Sequence, residues 1–294
     1  MPELPDIALY RDALAARVIG APLTQVRIDN PFVLRTAVPP IAAAEGKRVL
    51  DVRRMGKRII LVLDGDLFLV FHLMIAGRLR WLDMGGNPPK RITLARLAFP
   101  SGLLAFTEAG TKRRASLHLV QGDAALAALD PGGLEVLNAD RNAFATRLTL
   151  ENHTLKRALT DPRLFSGIGN AYSDEILHRA QLSPLALTQK VTADDITRLH
   201  DATRDVLSEW TERLRRELAG AFPENVTAFR PEMAVHGKYG KPCPVCDAPV
   251  QRIVYAENEC NYCARCQTGG KLLADRSLSR LLKASWPRSI DELG

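Results

Sequence analysis

All five cysteines of this 294-residue chain fall between positions 243 and 266, and four of them form two knuckles, Cys243-Pro244-Val245-Cys246 and Cys263-Ala264-Arg265-Cys266, sixteen residues apart. Two CxxC knuckles at that separation set four thiolates around one tetrahedral cation, so the intervening segment must double back as a hairpin. Cys243, Cys246, Cys263 and Cys266 are therefore expected to hold one structural Zn²⁺. Cys260 also forms a CxxC with Cys263, but only thirteen residues separate it from Cys246, and it is left outside the metal set. Disulfides are the weaker reading: the N-terminus, Met1-Pro2-Glu3-Leu4-Pro5-Asp6, carries acid where a secretory signal carries base. No apolar run approaches the roughly 18 residues of a membrane span. The most apolar stretch, 59–71, is broken by Asp64, Gly65 and Asp66, so a soluble protein without a membrane partner is expected.

Patterning divides the rest of the chain. Pro5, then Ile7, Leu9, Leu14 and Val18 closed by Gly20, predicts one amphipathic helix. Across 23–120 the period shortens to apolar runs separated by turn residues, with Asp64-Gly65 between Ile59–Leu63 and Leu67–Leu73, and Pro100-Ser101-Gly102 between Leu94–Phe99 and Leu103–Phe106. These are antiparallel hairpins and favour a β-sandwich or barrel. After Pro131-Gly132-Gly133 the signals turn helical, over 152–158, over 171–181, and over a long stretch capped by Thr192, carrying Ile196, Leu199, Val206, Trp210, Leu214 and Leu218, and stopped by Gly220. A Pro-, Gly- and base-rich segment, 221–241, leads into the cysteines, and an amphipathic tail with Leu272, Leu273, Leu278, Leu281 and Leu282 follows. The expected class is α+β multidomain: an N-terminal antiparallel β-sandwich over 1–130, a helical unit over 131–225, a zinc-ribbon hairpin over 226–268 and an extension over 269–294.

With 46% apolar residues the chain is not a disordered one, and 40 Lys plus Arg against 33 Asp plus Glu leaves a net charge of +7. That excess suits a nucleic-acid partner or a merely basic surface, and its placement decides. Two clusters, Arg53-Arg54-Met55-Gly56-Lys57-Arg58 and Lys112-Arg113-Arg114, lie at strand boundaries of the β unit. Taken singly, each is also what a solvated face looks like. Ser166-Gly167-Ile168-Gly169-Asn170 joins two helices through a turn that leaves N–H groups exposed at a helix start, which suits a phosphate or a plain helix–helix turn equally. At the terminus, removal of Met1 leaves Pro2 a secondary amine beside Glu3. Such an amine can attack C1′ of a deoxyribose as an iminium-forming nucleophile. An α-amine pKa of about 8 against about 10.4 for lysine leaves more of it neutral.

In combination these features resemble the formamidopyrimidine-DNA glycosylase and endonuclease VIII family of base-excision repair enzymes. The resemblance is carried by Met1-Pro2-Glu3-Leu4-Pro5, by Arg53-Arg54 with Lys57, and by His72-Leu73 before Gly77-Arg78-Leu79. It continues through Leu155-Lys156, Gly167-Ile168-Gly169-Asn170 running to Glu175, and Tyr262-Cys263-Ala264-Arg265-Cys266-Gln267. The motifs keep the family's order from about residue 2 to residue 267, and the last 27 residues have no counterpart. The resemblance implies an N-terminal β-sandwich, a helix-two-turn-helix domain and a zinc finger, acting on damaged double-stranded DNA. It implies Pro2 as the Schiff-base nucleophile, Glu3 as acid/base partner, and Lys57 as a phosphate contact and proton donor for β-elimination. Asn170 corresponds to the phosphate-binding asparagine of the turn, Glu175 to the acidic residue on the next helix and Lys156 to the lysine before the turn. Arg113 or Arg114 corresponds to the arginine that fills the gap left by a flipped nucleotide.

Departures narrow the expectation. Ala115 follows Arg114 where relatives acting on oxidised purines carry phenylalanine, the loop after His72-Leu73 reads Met74-Ile75-Ala76, and Asn258 stands where an arginine is usual, five residues before the third zinc cysteine. A smaller wedge alters lesion and opposite-base preference, and a neutral amide gives up a charge-assisted phosphate contact. The segment 221–233 is shorter than the lid loop of many relatives. The resulting expectation is a monomeric DNA glycosylase with abasic-site lyase activity, cytoplasmic or nucleoid-associated. Its rivals are a non-catalytic damaged-DNA binding protein and a lyase of narrow lesion range.

Overall fold

The structure, a computed structural model, describes all residues except 111, 256–257, 275–279, 282–286 and 294, with the backbone alone at 255, 258 and 293. It separates into two compact units: Met1–Pro131 with Trp210–Thr227, and Gly132–Glu209 with Ala228–Gly294. Among the described residues no helix is long and apolar enough to cross a membrane.

The first unit begins with helix α1 (Leu4–Val18), followed by β1 (Gln25–Ile28), β2 (Val49–Met55), β3 (Arg58–Leu63), β4 (Leu67–His72), β5 (Gly77–Leu82), β6 (Thr93–Phe99), β7 (Gly102–Glu108), β8 (Ser116–Gln121) and the short helix α2 (Asp123–Ala127). Eight strands form two antiparallel sheets of four, ordered β1-β6-β7-β5 and β2-β3-β4-β8. Their inner faces share one core, in which Leu61, Leu69 and Leu117 of one sheet meet Leu79, Leu97 and Leu104 of the other, and α1 adds Ile7, Tyr10, Leu14 and Val18. Phe71 and Phe106 touch across it edge to face, with centroids 5.6 Å apart. This is the sandwich that the alternating runs predict. β3 and β4 read as nearly continuous apolar runs because both their faces are covered: Ile60, Val62, Phe68 and Val70 pack outward against Ala125, Leu126 and Leu129. The β6–β7 turn requires Gly102, whose φ is +156° and where a Cβ would meet the Leu82 carbonyl at 2.6 Å.

The second unit holds α3 (Arg141–Thr149), α4 (Leu155–Thr160), α5 (Asn170–Arg179) and the first part of α6 (Ala193–Leu218), then the hairpin β9 (Gln251–Tyr255) and β10 (Asn258–Tyr262) and the knuckle helix α7 (Ala264–Thr268). Caps set the starts: Asp140 accepts from the Ala143 N–H, Thr154 from Arg157, and Thr192 exchanges bonds with Asp195. α3 is absent from the sequence reading, since Phe144 and Leu148 alone among its residues are buried and a two-residue stripe gives little periodicity. In the tail, Leu272 is buried and Leu281 exposed, while Leu278 and Leu282 lie outside the described residues.

The long helix does not stay in the helical unit. Residues from Trp210 onward belong with the sandwich because Arg215 pairs with Asp12 of α1, and Phe222 and Val226 enter the sandwich core. Phe222 lies 5.8 Å from the Tyr10 ring and 6.3 Å from Trp81, with the Arg17 guanidinium 5.5 Å from its centroid. Phe222→Ala should therefore lower sandwich stability by about 3 kcal/mol, the usual cost of emptying an aromatic core site. Denaturant unfolding followed by tryptophan fluorescence measures it, and an unchanged midpoint contradicts the packing.

Candidate functional site

Two groups of polar side chains stand out, one in each unit. In the first, α1 starts at Leu4 with Glu3 and Asp6 both buried, and the Glu3 N–H donates to Asp6 Oδ2 at 2.9 Å. Pro2 is buried beside them. The α-amine of Met1, the residue before Pro2, has its pKa lowered, first by burial, with Arg78 and Lys57 lowering it further against Glu3 and Asp6. Lys57 occupies the tip of the β2–β3 hairpin, where Met55 pairs with Arg58 and Gly56 has a φ of +59°. Arg78, on β5, is fixed by donating to the carbonyls of Val226, Ile75 and Gly77 at 3.0, 3.1 and 2.7 Å. Thus Pro2, Glu3 and Lys57 share one neighbourhood. Sequence reasoning quoted Arg78 as part of a motif without giving it a role.

Arg113 and Arg114 are exposed on the loop between β7 and β8. The loop is clamped from below: buried Glu108 accepts the N–H of Arg114 at 3.1 Å and of Ala115 at 3.2 Å, and Arg113 Nη2 donates to the Arg91 carbonyl at 2.8 Å. Ala115, where the larger wedge was missed in the sequence, points into the sandwich core and is 3% exposed. Ile75 is exposed on the β4–β5 loop, after Met74 at a φ of +53°.

His72 closes β4 opposite Arg58, with His118 on the neighbouring strand β8. Burial, then Arg58, Lys57 and His118, push the His72 pKa down to about 4, and burial, Arg58 and Arg35 lower that of His118.

In the second unit the polar residues of α5 form a stripe. Asn170 Nδ2 donates to the Glu259 carbonyl of β10 at 2.9 Å. Asp174, wholly buried, accepts Lys156 Nζ on one oxygen at 2.5 Å and meets His236 Nδ1 with the other at 2.7 Å. Glu175 accepts the N–H groups of Ala234, Val235 and His236 at 2.8, 2.9 and 2.9 Å, and burial raises its pKa against them. One turn further on, His178 Nε2 lies 3.3 Å from Cys243 Sγ. Lys156 also donates to the Asn170 carbonyl at 2.7 Å. Lys156, Asn170 and Glu175 are thus together, but as the frame between the turn and the cysteine hairpin.

The four knuckle thiols lie within 4.8 Å of one another, with Cys243 and Cys266 sulfurs at 3.9 Å and Cys246 and Cys263 at 3.4 Å. A tetrahedral Zn–S₄ site, with bonds of about 2.3 Å, has edges of roughly 3.8 Å. The donor set therefore fits a metal ion. Cys260 is buried outside that set, with the Asp174 carboxylate near it. The Asn258 side chain lies outside the described residues. The cations able to replace an arginine there are engaged: Arg252 stacks 4.3 Å from the Tyr239 ring and pairs with Glu259, and Arg265 pairs with Asp291.

Comparison with known proteins gives a consistent result. Residues 1–115 match the family model of the formamidopyrimidine-DNA glycosylase N-terminal domain, and 132–216 that of the formamidopyrimidine-DNA glycosylase H2TH domain. The chain is 35% identical over 279 residues to formamidopyrimidine-DNA glycosylase of Thermus thermophilus, covering 92% of this chain and 100% of that one. The crystal structure of the Thermus thermophilus MutM (Fpg) protein superposes with a TM-score of 0.76 at 34% identity over 90% of this chain and 98% of that one. A complex of Lactococcus lactis Fpg with DNA containing an abasic site gives 0.80 at 25% identity, over 90% and 99%.

The histidines yield a prediction. A neutral imidazole held below its ordinary pKa of about 6.5 takes up its proton in the unfolded chain first, so stability falls as pH drops from about 6.5 towards 4. His72→Gln should flatten that slope in thermal melts between pH 7 and pH 4.5. An equal slope in wild type and variant contradicts the burial of a neutral His72.

Proposed function

The chain belongs to the formamidopyrimidine-DNA glycosylase family, and from that premise we propose that it is a bifunctional enzyme, a DNA glycosylase with abasic-site lyase activity on oxidised or abasic nucleotides in double-stranded DNA. The observation that carries this reading is Pro2 buried beside Glu3 at the start of α1, with Lys57 and Arg78 close enough to act on charge at the chain terminus. With Met1 removed, the Pro2 nitrogen bonds to C1′ as the bond from C1′ to the base breaks. Opening of the sugar ring passes a proton to O4′ and leaves an iminium, which acidifies C2′, and loss of the C2′ proton expels the 3′ phosphate. Glu3 manages the protons of base release and ring opening. Lys57, at its hairpin tip, holds a phosphate and donates a proton in the elimination. Only the neutral amine attacks, and an α-amine is neutral in larger fraction than a lysine near neutral pH.

Exposed Arg113 and Arg114 are suited to occupy the gap left by an extruded nucleotide, and Asn170 at the start of α5 to meet a phosphate. Lys156 and Glu175 support that contact by fixing the turn. Cys243, Cys246, Cys263 and Cys266 hold one structural Zn²⁺, which when bound locks the knuckles and orients the β9–β10 hairpin. Residues 1–130 form the catalytic module in this reading, 131–225 the helix-two-turn-helix, 226–268 the zinc finger and 269–294 an extension. A second reading, a lyase of narrow lesion range, is favoured by Ala115, because a buried methyl group props nothing open beside the arginines.

Incision of oligonucleotides carrying 8-oxoguanine, formamidopyrimidine, thymine glycol, dihydrouracil or an abasic site, single- and double-stranded, tests the function. Cleavage of at least one oxidised-base duplex is expected, with the unsaturated aldehyde of β-elimination dominating over the 3′ phosphate of δ-elimination, as Arg252 and Arg265 are already paired. Cleavage of abasic sites alone selects the narrow lyase. No cleavage of any substrate by correctly processed protein rejects both.

A further inference from the structure

We infer that His178 is an outer-sphere member of the metal site, its Nε2–H donating to the Cys243 thiolate. The inference rests on the reading of the four cysteines as a zinc site. Three observations carry it. Nε2 is 3.3 Å from Cys243 Sγ, within hydrogen-bond reach of sulfur. Both residues are buried, His178 at 6% and Cys243 at 0% exposure, so water does not compete for the contact. And His178 stands outside the set of ligand atoms that lie within 4.8 Å of one another, so it approaches Cys243 from behind rather than adding a fifth donor.

Four thiolates around a dication leave a net charge of −2, which a protein interior tolerates only with N–H donors on the sulfurs. Cys263 Sγ has such a donor in the Cys266 N–H at 3.5 Å. For Cys243, the most deeply buried knuckle thiol together with Cys263, the imidazole is the donor at hand. It comes from α5, and that placement has a consequence. Asn170, Asp174 and His178 recur at four-residue intervals on one face of the helix and each bonds the cysteine module, at Glu259, His236 and Cys243. His178 thus ties the metal to the helix whose first residue stands at the glycine turn. Gln267 makes a parallel tie at the other knuckle, accepting the Cys263 N–H at 2.8 Å and donating to the Leu182 carbonyl at 2.9 Å.

The test is zinc release to a chromophoric chelator from the purified full-length protein. His178→Phe, which keeps the ring and removes the donor, should release zinc about ten- to a hundredfold faster than wild type, the range for loss of an outer-shell partner. His178→Gln, whose amide nitrogen reaches the same position, should restore most of the retention. Equal release rates for wild type and His178→Phe overturn the inference. Wild-type protein with less than half an equivalent of zinc instead overturns the zinc reading beneath it. Should His178→Phe fail to fold, ¹⁵N NMR of the wild-type protein loaded with ¹¹³Cd decides. A protonated Nε2 supports the assignment. A bare Nε2, or one bonded directly to cadmium, refutes it.

Discussion

A buried carboxylate is costly unless its lone pairs are filled, and among the described residues this chain buries five: Glu3, Asp6, Glu108, Asp174 and Glu175. Glu108 ends strand β7, Glu3 caps α1, and Asp6, Asp174 and Glu175 lie on helices. Glu108 and Glu175 are satisfied by backbone N–H groups of irregular segments, Asp6 by the amide of Glu3, and Asp174 by Lys156 of α4 and by His236, so these carboxylates hold the segments that join the regular elements. Asp6 takes the amide of Glu3 and holds the terminus. Glu108 takes the amides of Arg114 and Ala115 and holds the arginine loop. Asp174 and Glu175 take Lys156, His236 and three successive amides, and hold the approach to the cysteine hairpin. Removing the Glu175 carboxylate would take the acceptor from three successive amides, a loss of about 1–3 kcal/mol per group.

This explains why chemistry resides where it does. The sandwich and the helices supply rigidity, but the residues that meet DNA in the proposed mechanism lie on the terminus, a hairpin tip and two loops. Segments of that kind drift unless anchored, and a near-attack geometry tolerates little drift. Anchoring by Glu108 leaves the loop that carries Arg113 and Arg114 with both residues exposed. The modest net charge of +7 is thus less informative than its placement, with acid turned inward beneath loops that carry base outward.

Much of this was legible in the sequence. The hairpin turns at Asp64-Gly65 and Pro100–Gly102, the capped and Gly-stopped long helix, and the metal-binding geometry of the four cysteines follow from spacing and turn chemistry, and the structure has them in place. What escaped was long-range. Nothing in the pattern of α6 announces that its last turns leave the helical unit, because an amphipathic stripe states which face is buried and not against what. Lys156 and Glu175 were singled out only through the family resemblance, and their partners, Asp174 and the amides of 234–236, are some 18 and 60 residues away. His178 and Arg78 carried no local signal of the groups they bond. Periodicity detects a residue's burial, and only the fold discloses its partner.

In the proposed mechanism the terminal secondary amine, and no lysine, attacks the sugar. Borohydride reduction of the protein on abasic-site duplex, followed by proteolysis and mass spectrometry of the cross-linked peptide, examines that claim directly. The expected product is a reduced deoxyribose adduct on the nitrogen of Pro2, formed only by protein whose Met1 has been removed and lost when a tag blocks the terminus. An adduct on a lysine, or none from correctly processed protein on any abasic substrate, would contradict it.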